Sequence, residues 1–189
     1  MKSYSTRKNA FTKTQTFVLD AGKLDILTEG GAPRSIPLTD VQQVRLAYDP
    51  TRFEPDRFRC EFTTRQNWQW EFFNRSYAGV ATFTETTAEY RTFVREFHAQ
   101  VARANPACRF LAGCSPGQYT FNVACLAFAA LMVVGAVIFF WNVGFHALAG
   151  VKLLLILAFT PMALGWIRRN RPQPYEPHSI PTNVLPRES

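Results

Sequence analysis

Two long uncharged runs occupy the C-terminal third of the chain. Val123–Trp141 is nineteen residues without a charged side chain, and Gly144–Ile167 is twenty-four residues in which only Lys152 is charged. A helix needs roughly 20 apolar residues to cross a bilayer, so each run is long enough. The pattern predicts two transmembrane helices, at residues 119–141 and 146–167.

Before these runs, apolar side chains alternate with polar ones. Phe58, Cys60 and Phe62 alternate with polar neighbours, and the apolar residues of Trp68–Phe72 again recur at every second position. A period of two is typical of strands with one buried face, and the polar connection at residues 64–67 suits an antiparallel hairpin. Five further strands are predicted, the last from a weaker pattern: Thr16–Asp20, Lys23–Thr28, Arg34–Pro37, Gln42–Tyr48 and Tyr77–Phe83.

The last element of this part is predicted to be an amphipathic helix. Thr86 with Glu89 three residues later forms a capping-box pattern, and Asn105–Pro106 ends the helix. Its apolar residues form one stripe that must be buried. We therefore expect an α+β fold, a curved antiparallel sheet of about seven strands capped by one C-terminal helix, in which Trp70 and Phe97 share a core. The stripe consists of Tyr90, Phe93, Val94, Phe97 and Val101.

These patterns divide the chain into five parts. Residues 14–104 form a folded head, and residues 119–167 form a membrane hairpin. Residues 1–13 are expected to be flexible, and residues 105–118 to be a linker. The tail, residues 168–189, is rich in proline and lacks periodicity, which indicates an extended or disordered segment. Docking of this tail on the head or a partner, and a simply solvated terminus, both remain open.

Composition and charge narrow the class of protein. A chain that is 47% hydrophobic and 19% charged is not an aromatic-poor disordered protein. The net charge of +7 is spread thinly, since residues 1–118 hold sixteen Lys and Arg against twelve Asp and Glu. Nucleic-acid binders usually concentrate their bases on one face, so we expect no nucleic-acid partner.

The bases beside the two runs predict the orientation of the hairpin. The first twenty residues contain no apolar core of a signal peptide, and the turn at residues 142–146 has no Lys or Arg. Because Lys and Arg concentrate on the cytoplasmic side, both termini are predicted to be cytoplasmic. Lys152 lies about 9 Å inside the second helix; we interpret it as a snorkelling anchor, with a transport site as the alternative. The predicted membrane-flanking residues are Arg103, Arg109, Lys152, Arg168, Arg169 and Arg171.

The sequence contains no recognisable catalytic constellation. An enzyme needs convergent groups, whereas His98, His146 and His178 are scattered, and motifs for phosphate binding or hydrolysis are missing. The cysteines form no Cys-x-x-Cys pair, which argues against zinc. We expect no catalytic, metal or cofactor site, and reduced cysteines, with Cys108 and Cys114 as the only pair near enough in sequence to meet. The four cysteines are Cys60, Cys108, Cys114 and Cys125.

The segment Ser35–Val44, SIPLTDVQQV, resembles a turn into a strand that bacterial pleckstrin-homology-like domains often contain. The resemblance covers residues 14–104 and implies a curved sheet with a capping helix. Lipid-binding members of that wider fold place several bases around the first hairpin, where the predicted turn offers only Lys23 beside Asp20. Further segments are similar to uncharacterised proteobacterial two-span membrane proteins: Tyr48–Phe53, Arg57–Glu61, Ser76–Tyr77, Ala88–Arg95 and Tyr175–Pro181.

This resemblance implies a multi-pass protein of the bacterial inner membrane and supplies no activity. We expect a non-enzymatic interaction or scaffold module that presents its head at the cytoplasmic face. Membrane lipids would surround both helices, and a protein partner would lie in the membrane or at its cytoplasmic face. The alternative is a small accessory subunit of a transport or channel complex, motivated by Lys152, Pro161 and the hairpin. Neither helix contains Gly-x-x-x-Gly, and a homo-oligomer is possible.

Overall fold

The computed structural model describes residues 1–79 and 82–187, apart from the side chains of residues 148, 149 and 156. The chain forms two compact units. One is Met1–Gly113 together with the tail from Gln173, and the other is Cys114–Pro172. The first unit, which we call the head, mixes strands with one long helix, so the predicted α+β class is confirmed. The second unit is a helical hairpin.

Four antiparallel strands form the first sheet of the head, in chain order. Their spans differ from the predicted strands by at most one residue, except that the first was not predicted. Gly22 forms the turn between the second and third strands with φ of +79°, a conformation that glycine adopts without steric cost. The strands are β1 (Lys2–Thr6), β2 (Gln15–Asp20), β3 (Lys23–Thr28) and β4 (Arg34–Pro37).

Strand β1 corrects the prediction that residues 1–13 are flexible. It pairs with β2 along its whole length, from Lys2 opposite Leu19 to Thr6 opposite Gln15. Tyr4 is the one large apolar side chain in this strand, and it is buried in the core. Tertiary packing and pairing, rather than a local pattern, therefore stabilise the strand.

The second sheet contains the two strongest predicted strands. Strands β5 (Val41–Tyr48), β6 (Phe58–Thr64) and β7 (Gln69–Phe73) follow one another as antiparallel neighbours. The predicted inward face of β6 is confirmed, because Cys60 and Phe62 are completely buried.

The weak seventh prediction, Tyr77–Phe83, differs from the structure. A two-stranded hairpin of β8 (Arg75–Gly79) and β9 (Thr82–Glu85) takes its place. Residues 80 and 81, which fall inside the predicted strand, lie outside the described residues.

Helix α1 (Thr87–Ala104) buries the predicted apolar stripe against both sheets. The ring centroids of Phe97 and Phe62 lie 5.4 Å apart. Trp70 is partly buried and packs against the same cluster. The predicted core shared by Trp70 and Phe97 is therefore confirmed.

The two ends of α1 are fixed by contacts to the sheets. Thr86 occupies the N-cap position, but its hydroxyl donates to the carbonyl of Asn74 at 3.1 Å and makes no cap bond to the helix. The predicted capping box is thus wrong in its side-chain contacts. At the other end, the Asn105 amide donates to the Val41 carbonyl at 2.8 Å, which ties the helix terminus to β5.

Two short strands extend the second sheet beyond β5. Strand β10 (Arg109–Ala112) runs parallel to β5, with Phe110 opposite Val44. Strand β11 (Gln173–Pro174) pairs antiparallel with β10. The predicted linker, residues 105–118, is therefore corrected, because its centre is a strand of the head. The head is built from chain on both sides of the hairpin.

The hairpin consists of α2 (Pro116–Asn142) and α3 (His146–Arg169). Each contains a segment long and apolar enough to cross a membrane. Helix α2 begins three residues before the predicted start, because the Ser115 hydroxyl accepts a hydrogen bond from the Gln118 N–H and Pro116 suits the first helical position. Gly144, with φ of +89°, lies in the turn between the helices.

Candidate functional site

The loop between β1 and β2 is the first hairpin loop of the head, and it contains Arg7, Lys8 and Lys13. The sequence prediction missed β1 and so placed the first hairpin at Lys23 and Asp20. The structure corrects this: the first hairpin loop has three bases. We call residues 7–14 the basic loop.

Side-chain hydrogen bonds hold the basic loop in shape. Asn9 Oδ1 accepts from the backbone N–H groups of Phe11 and Thr12, both at 3.0 Å. Arg7 Nε donates to the Thr12 carbonyl at 2.9 Å, and its guanidinium lies 5.4 Å from the ring centroid of Tyr77. The Arg7 guanidinium is therefore held by contacts within the head. The Phe11 ring, in contrast, is 98% exposed.

A cleft of about 410 Å³ lies between the basic loop and β7. Its lining combines buried side chains, such as Thr6 and Phe73, with exposed ones, such as Lys13 and Gln69. We call it the β7 cleft. In it, exposed bases and a partly buried apolar side chain share one concave surface.

Two residues of this lining have buried polar atoms without a hydrogen-bond partner in the described part of the chain, Thr6 Oγ1 and Trp70 Nε1. An unpaired buried polar group costs about 1–3 kcal/mol, so a bound polar group that paired with them would be favoured. Lys8 forms an ion pair with Glu71, whereas Lys13 is exposed and has no ion pair among the described residues. The β7 cleft therefore suits a polar or anionic group.

A second exposed feature is the loop between β5 and β6, which Arg57 cross-links. Arg57 donates to the carboxylate of Asp49 at 2.7 Å and to that of Glu54 at 3.4 Å. Its guanidinium also lies 4.7 Å from the ring centroid of Phe73. Burial raises the pKa of Glu54. These contacts fix the loop, and Phe53 within it stays 65% exposed.

The tail meets helix α1 through a buried hydrogen bond between His98 and Tyr175. His98 Nδ1 donates to the Val94 carbonyl at 2.7 Å, so Nε2 accepts from the Tyr175 hydroxyl, also at 2.7 Å. Burial lowers the pKa of His98 to about 4 and raises that of Tyr175. The pair is uncharged at pH 7 and acts as a structural tie. The sequence analysis missed it, although the spacing of His98 from Val94 places it beside the buried stripe.

Further contacts hold residues 184–186 of the tail against the head. Val184 and Leu185 are buried in the core of the head. Arg91 on α1 donates a hydrogen bond to the carbonyl of Pro186. Of the two alternatives that the sequence left open for the tail, docking on the head is the one observed.

The hairpin unit has a cleft of its own, of about 550 Å³, between α2 and α3. Lys152 contributes to its lining, and the ammonium lies 4.3 Å from the ring centroid of Phe140. Tyr119 and Trp166 stack nearly parallel near the opposite end of the helix pair, 6.5 Å between centroids. We call this cleft the hairpin groove.

The other predicted membrane-flanking bases fall in both units. Arg103 lies in the last turn of α1 and Arg109 begins β10, and both are exposed residues of the head. Arg168 and Arg169 form the last turn of α3, and Arg171 follows it in the hairpin unit. A cation is favourable near a helix C-terminus, so this position suits the pair at the end of α3.

None of the four cysteines forms a disulfide bond within the part of the chain that the structure describes. Burial raises the pKa of Cys108 to about 11 and that of Cys60 further above its usual range, so both remain protonated thiols of low reactivity near pH 7. Among the residues that the structure describes, no group of three or more His, Cys, Asp or Glu is placed to hold a metal ion.

Comparisons with other proteins give no relative from which a role can be transferred. No protein-family model, curated protein or solved structure matches the chain. Its function must be inferred from its own residues.

Proposed function

We propose that this chain is a non-enzymatic, membrane-anchored interaction module, with a pleckstrin-homology-like head at the cytoplasmic face of the bacterial inner membrane. The observation that carries the proposal is a strand pairing across the hairpin, with Ala112 opposite Gln173. These two residues flank both apolar helices in sequence. The chain therefore enters and leaves the hairpin from two neighbouring strands of the head.

The order of elements supports the pleckstrin-homology-like assignment. A four-stranded meander, β1–β4, precedes a three-stranded meander, β5–β7, and α1 packs across the core. The hairpin of β8 and β9 and the added strands β10 and β11 are additions to that plan.

The membrane topology follows from which segments of the chain form the head. Because the segments before and after the hairpin fold into one unit, they lie on the same side of any membrane that the hairpin crosses. The arginines at the end of α3 favour the cytoplasm for that side. Labelling single cysteines in a variant without native cysteines tests this: a membrane-impermeant reagent should reach Asn142→Cys in intact cells and miss Ser5→Cys and Thr182→Cys. Labelling at Ser5→Cys or Thr182→Cys would contradict the topology.

We further propose that the β7 cleft is where the head contacts an acidic or polar segment of a protein partner. Lys13 offers an exposed charge there, and Thr6 and Trp70 offer unpaired polar atoms. Two of the three bases of the basic loop already have partners within the head, which argues against a strongly cationic lipid-binding surface.

Photocrosslinking in native membranes tests the cleft. A photoreactive residue at Gln69, in the cleft, should give a discrete protein adduct, and the same residue at Arg95, exposed on α1, should not. The adduct should weaken in a Lys13→Glu background and persist in a Lys2→Glu background. Equal adducts from both positions, or crosslinks to lipid alone, would contradict a protein-binding cleft.

A small accessory subunit of a transport or channel complex is the second candidate, favoured by the position of Lys152 in the hairpin groove. Mild detergent extraction followed by native electrophoresis separates the two proposals. A discrete larger complex whose transport activity fails without this chain supports the accessory subunit. A head partner that is recovered without any transport defect supports the interaction module.

A further inference from the structure

The hairpin contains no acidic residue that could pair with the charge of Lys152. The sequence contains no Asp or Glu between Glu96 and Glu176, so neither apolar helix can supply a carboxylate. Within the described part of the hairpin, the ammonium lies over the ring of Phe140. A ring face attracts a cation but leaves the hydrogen-bond donors of the ammonium unused.

The lining of the hairpin groove suits close packing of another helix. Ala129 and Ala136 lie seven residues apart on α2, and Ala163 lies across from them on α3. Small side chains let the backbone of another helix approach closely. Apart from Lys152 and Thr160 the groove lining is apolar, so one charge marks an otherwise uncharged surface.

We propose that the hairpin groove binds a transmembrane helix of another protein, and that a carboxylate on this helix pairs with Lys152. A second copy of this chain cannot supply that carboxylate, because its hairpin brings another lysine and no acid. Lys152 is six residues from the start of α3, about 9 Å along the helix axis. The carboxylate of the partner should therefore lie at a similar depth from the outer surface. The inference rests on the proposed membrane insertion of the hairpin.

A defined peptide probe tests this pairing. The full chain is reconstituted in neutral phosphatidylcholine vesicles with a synthetic Leu/Ala transmembrane helix that has one glutamate six residues from its outer end. Energy transfer between a label on the chain and a label on the peptide measures their association. The control is a matched peptide with glutamine in place of the glutamate. We expect the glutamate peptide to bind about tenfold more tightly, as one interhelical polar pair permits.

Variants of the chain identify the lysine as the cause. Lys152→Met should reduce the preference for glutamate to less than about twofold, because methionine cannot form the polar pair. Lys152→Arg should retain most of the preference. Leu154→Met, at a side chain that is 68% exposed outside the groove lining, should leave it unchanged.

Two outcomes would overturn the inference in different ways. The first applies when alkaline carbonate does not extract the chain, so that the hairpin is inserted in the membrane. If both peptides then bind equally, or if Lys152→Met keeps the preference for glutamate, the groove does not select a carboxylate. Lipid phosphate is then left as the partner of Lys152. If carbonate extracts the hairpin, the proposed membrane anchor fails and the inference fails with it.

Discussion

The hydroxyl of Tyr175 lies 2.7 Å from Nε2 of His98, although 77 residues separate the two in sequence. Both helices of the hairpin lie between them along the chain. The bond is formed inside the head, where His98 is completely buried. The integrity of the head therefore depends on a residue that follows both apolar helices.

Removing the Tyr175 hydroxyl should destabilise the head. In Tyr175→Phe the buried Nε2 of His98 loses its donor, and an unsatisfied buried acceptor costs about 1–3 kcal/mol. Chemical unfolding of the full chain in detergent, followed through the tryptophan fluorescence of the head, measures this. Tyr77→Phe, on the surface hairpin of β8 and β9, serves as the control. Equal stabilities of Tyr175→Phe and the wild type would show that the bond contributes nothing.

The same pair predicts a dependence of stability on pH. Burial lowers the pKa of His98 from an ordinary 6.5 to about 4, so the unfolded chain binds this proton more readily than the folded head. Stability is therefore fully present above about pH 6.5 and decreases as the pH falls toward 4, by about 3 kcal/mol for this group.

His98→Gln should make this pH profile shallower, because glutamine does not titrate. Unfolding free energies of the wild type and the variant, measured between pH 4 and 7, give the difference. His178→Gln, in an exposed part of the tail, should leave the slope unchanged. A His98→Gln profile parallel to that of the wild type would exclude His98 as the source.

The elements with strong local periodicity were predictable from sequence, and the elements stabilised by distant contacts were not. The alternation of Phe58, Cys60 and Phe62 records a strand with one buried face, and the α1 stripe records a buried helix face. Strand β1 has only Tyr4 to indicate burial, and strand β11, with two residues, is too short to show any period. Pairing partners far along the chain leave no period in the local sequence.

The candidate site could not be predicted from the sequence for the same reason. Arg7, Lys8 and Lys13 are plain in the sequence, but they form a hairpin loop only because β1 pairs with β2. Without β1, the first hairpin moved to Lys23. The sequence does identify Lys152, because it is the one charged side chain within the second apolar run. The residues of α2 that face Lys152 could not be predicted, because they depend on how α2 and α3 pack together.

Truncation of the Phe97 side chain tests the core of the head. Phe97 is completely buried, and its ring contacts Phe62 and Phe72, with centroids 5.4 and 6.3 Å away. Phe97→Ala should lower the free energy of unfolding by roughly 3 to 5 kcal/mol. The full chain must be used, because β10 and the tail are parts of the head. Phe11→Ala, at an exposed ring, is the control, and similar losses in both variants would contradict the core assignment.

Deletion of the tail tests whether the head is complete before the hairpin. A chain that ends at Arg171 keeps both apolar helices but lacks β11, the Tyr175 hydroxyl, and the buried Val184 and Leu185. Burial of one such aliphatic side chain contributes about 1.5–3 kcal/mol, so the loss should exceed about 3 kcal/mol. Limited proteolysis in detergent should then cleave within residues 1–113, which the full chain protects. A chain that ends at Arg187 lacks only two residues and should resist the protease like the wild type. If the chain ending at Arg171 is equally resistant, the tail is an accessory to the head and the pairing of β11 with β10 contributes little to its stability.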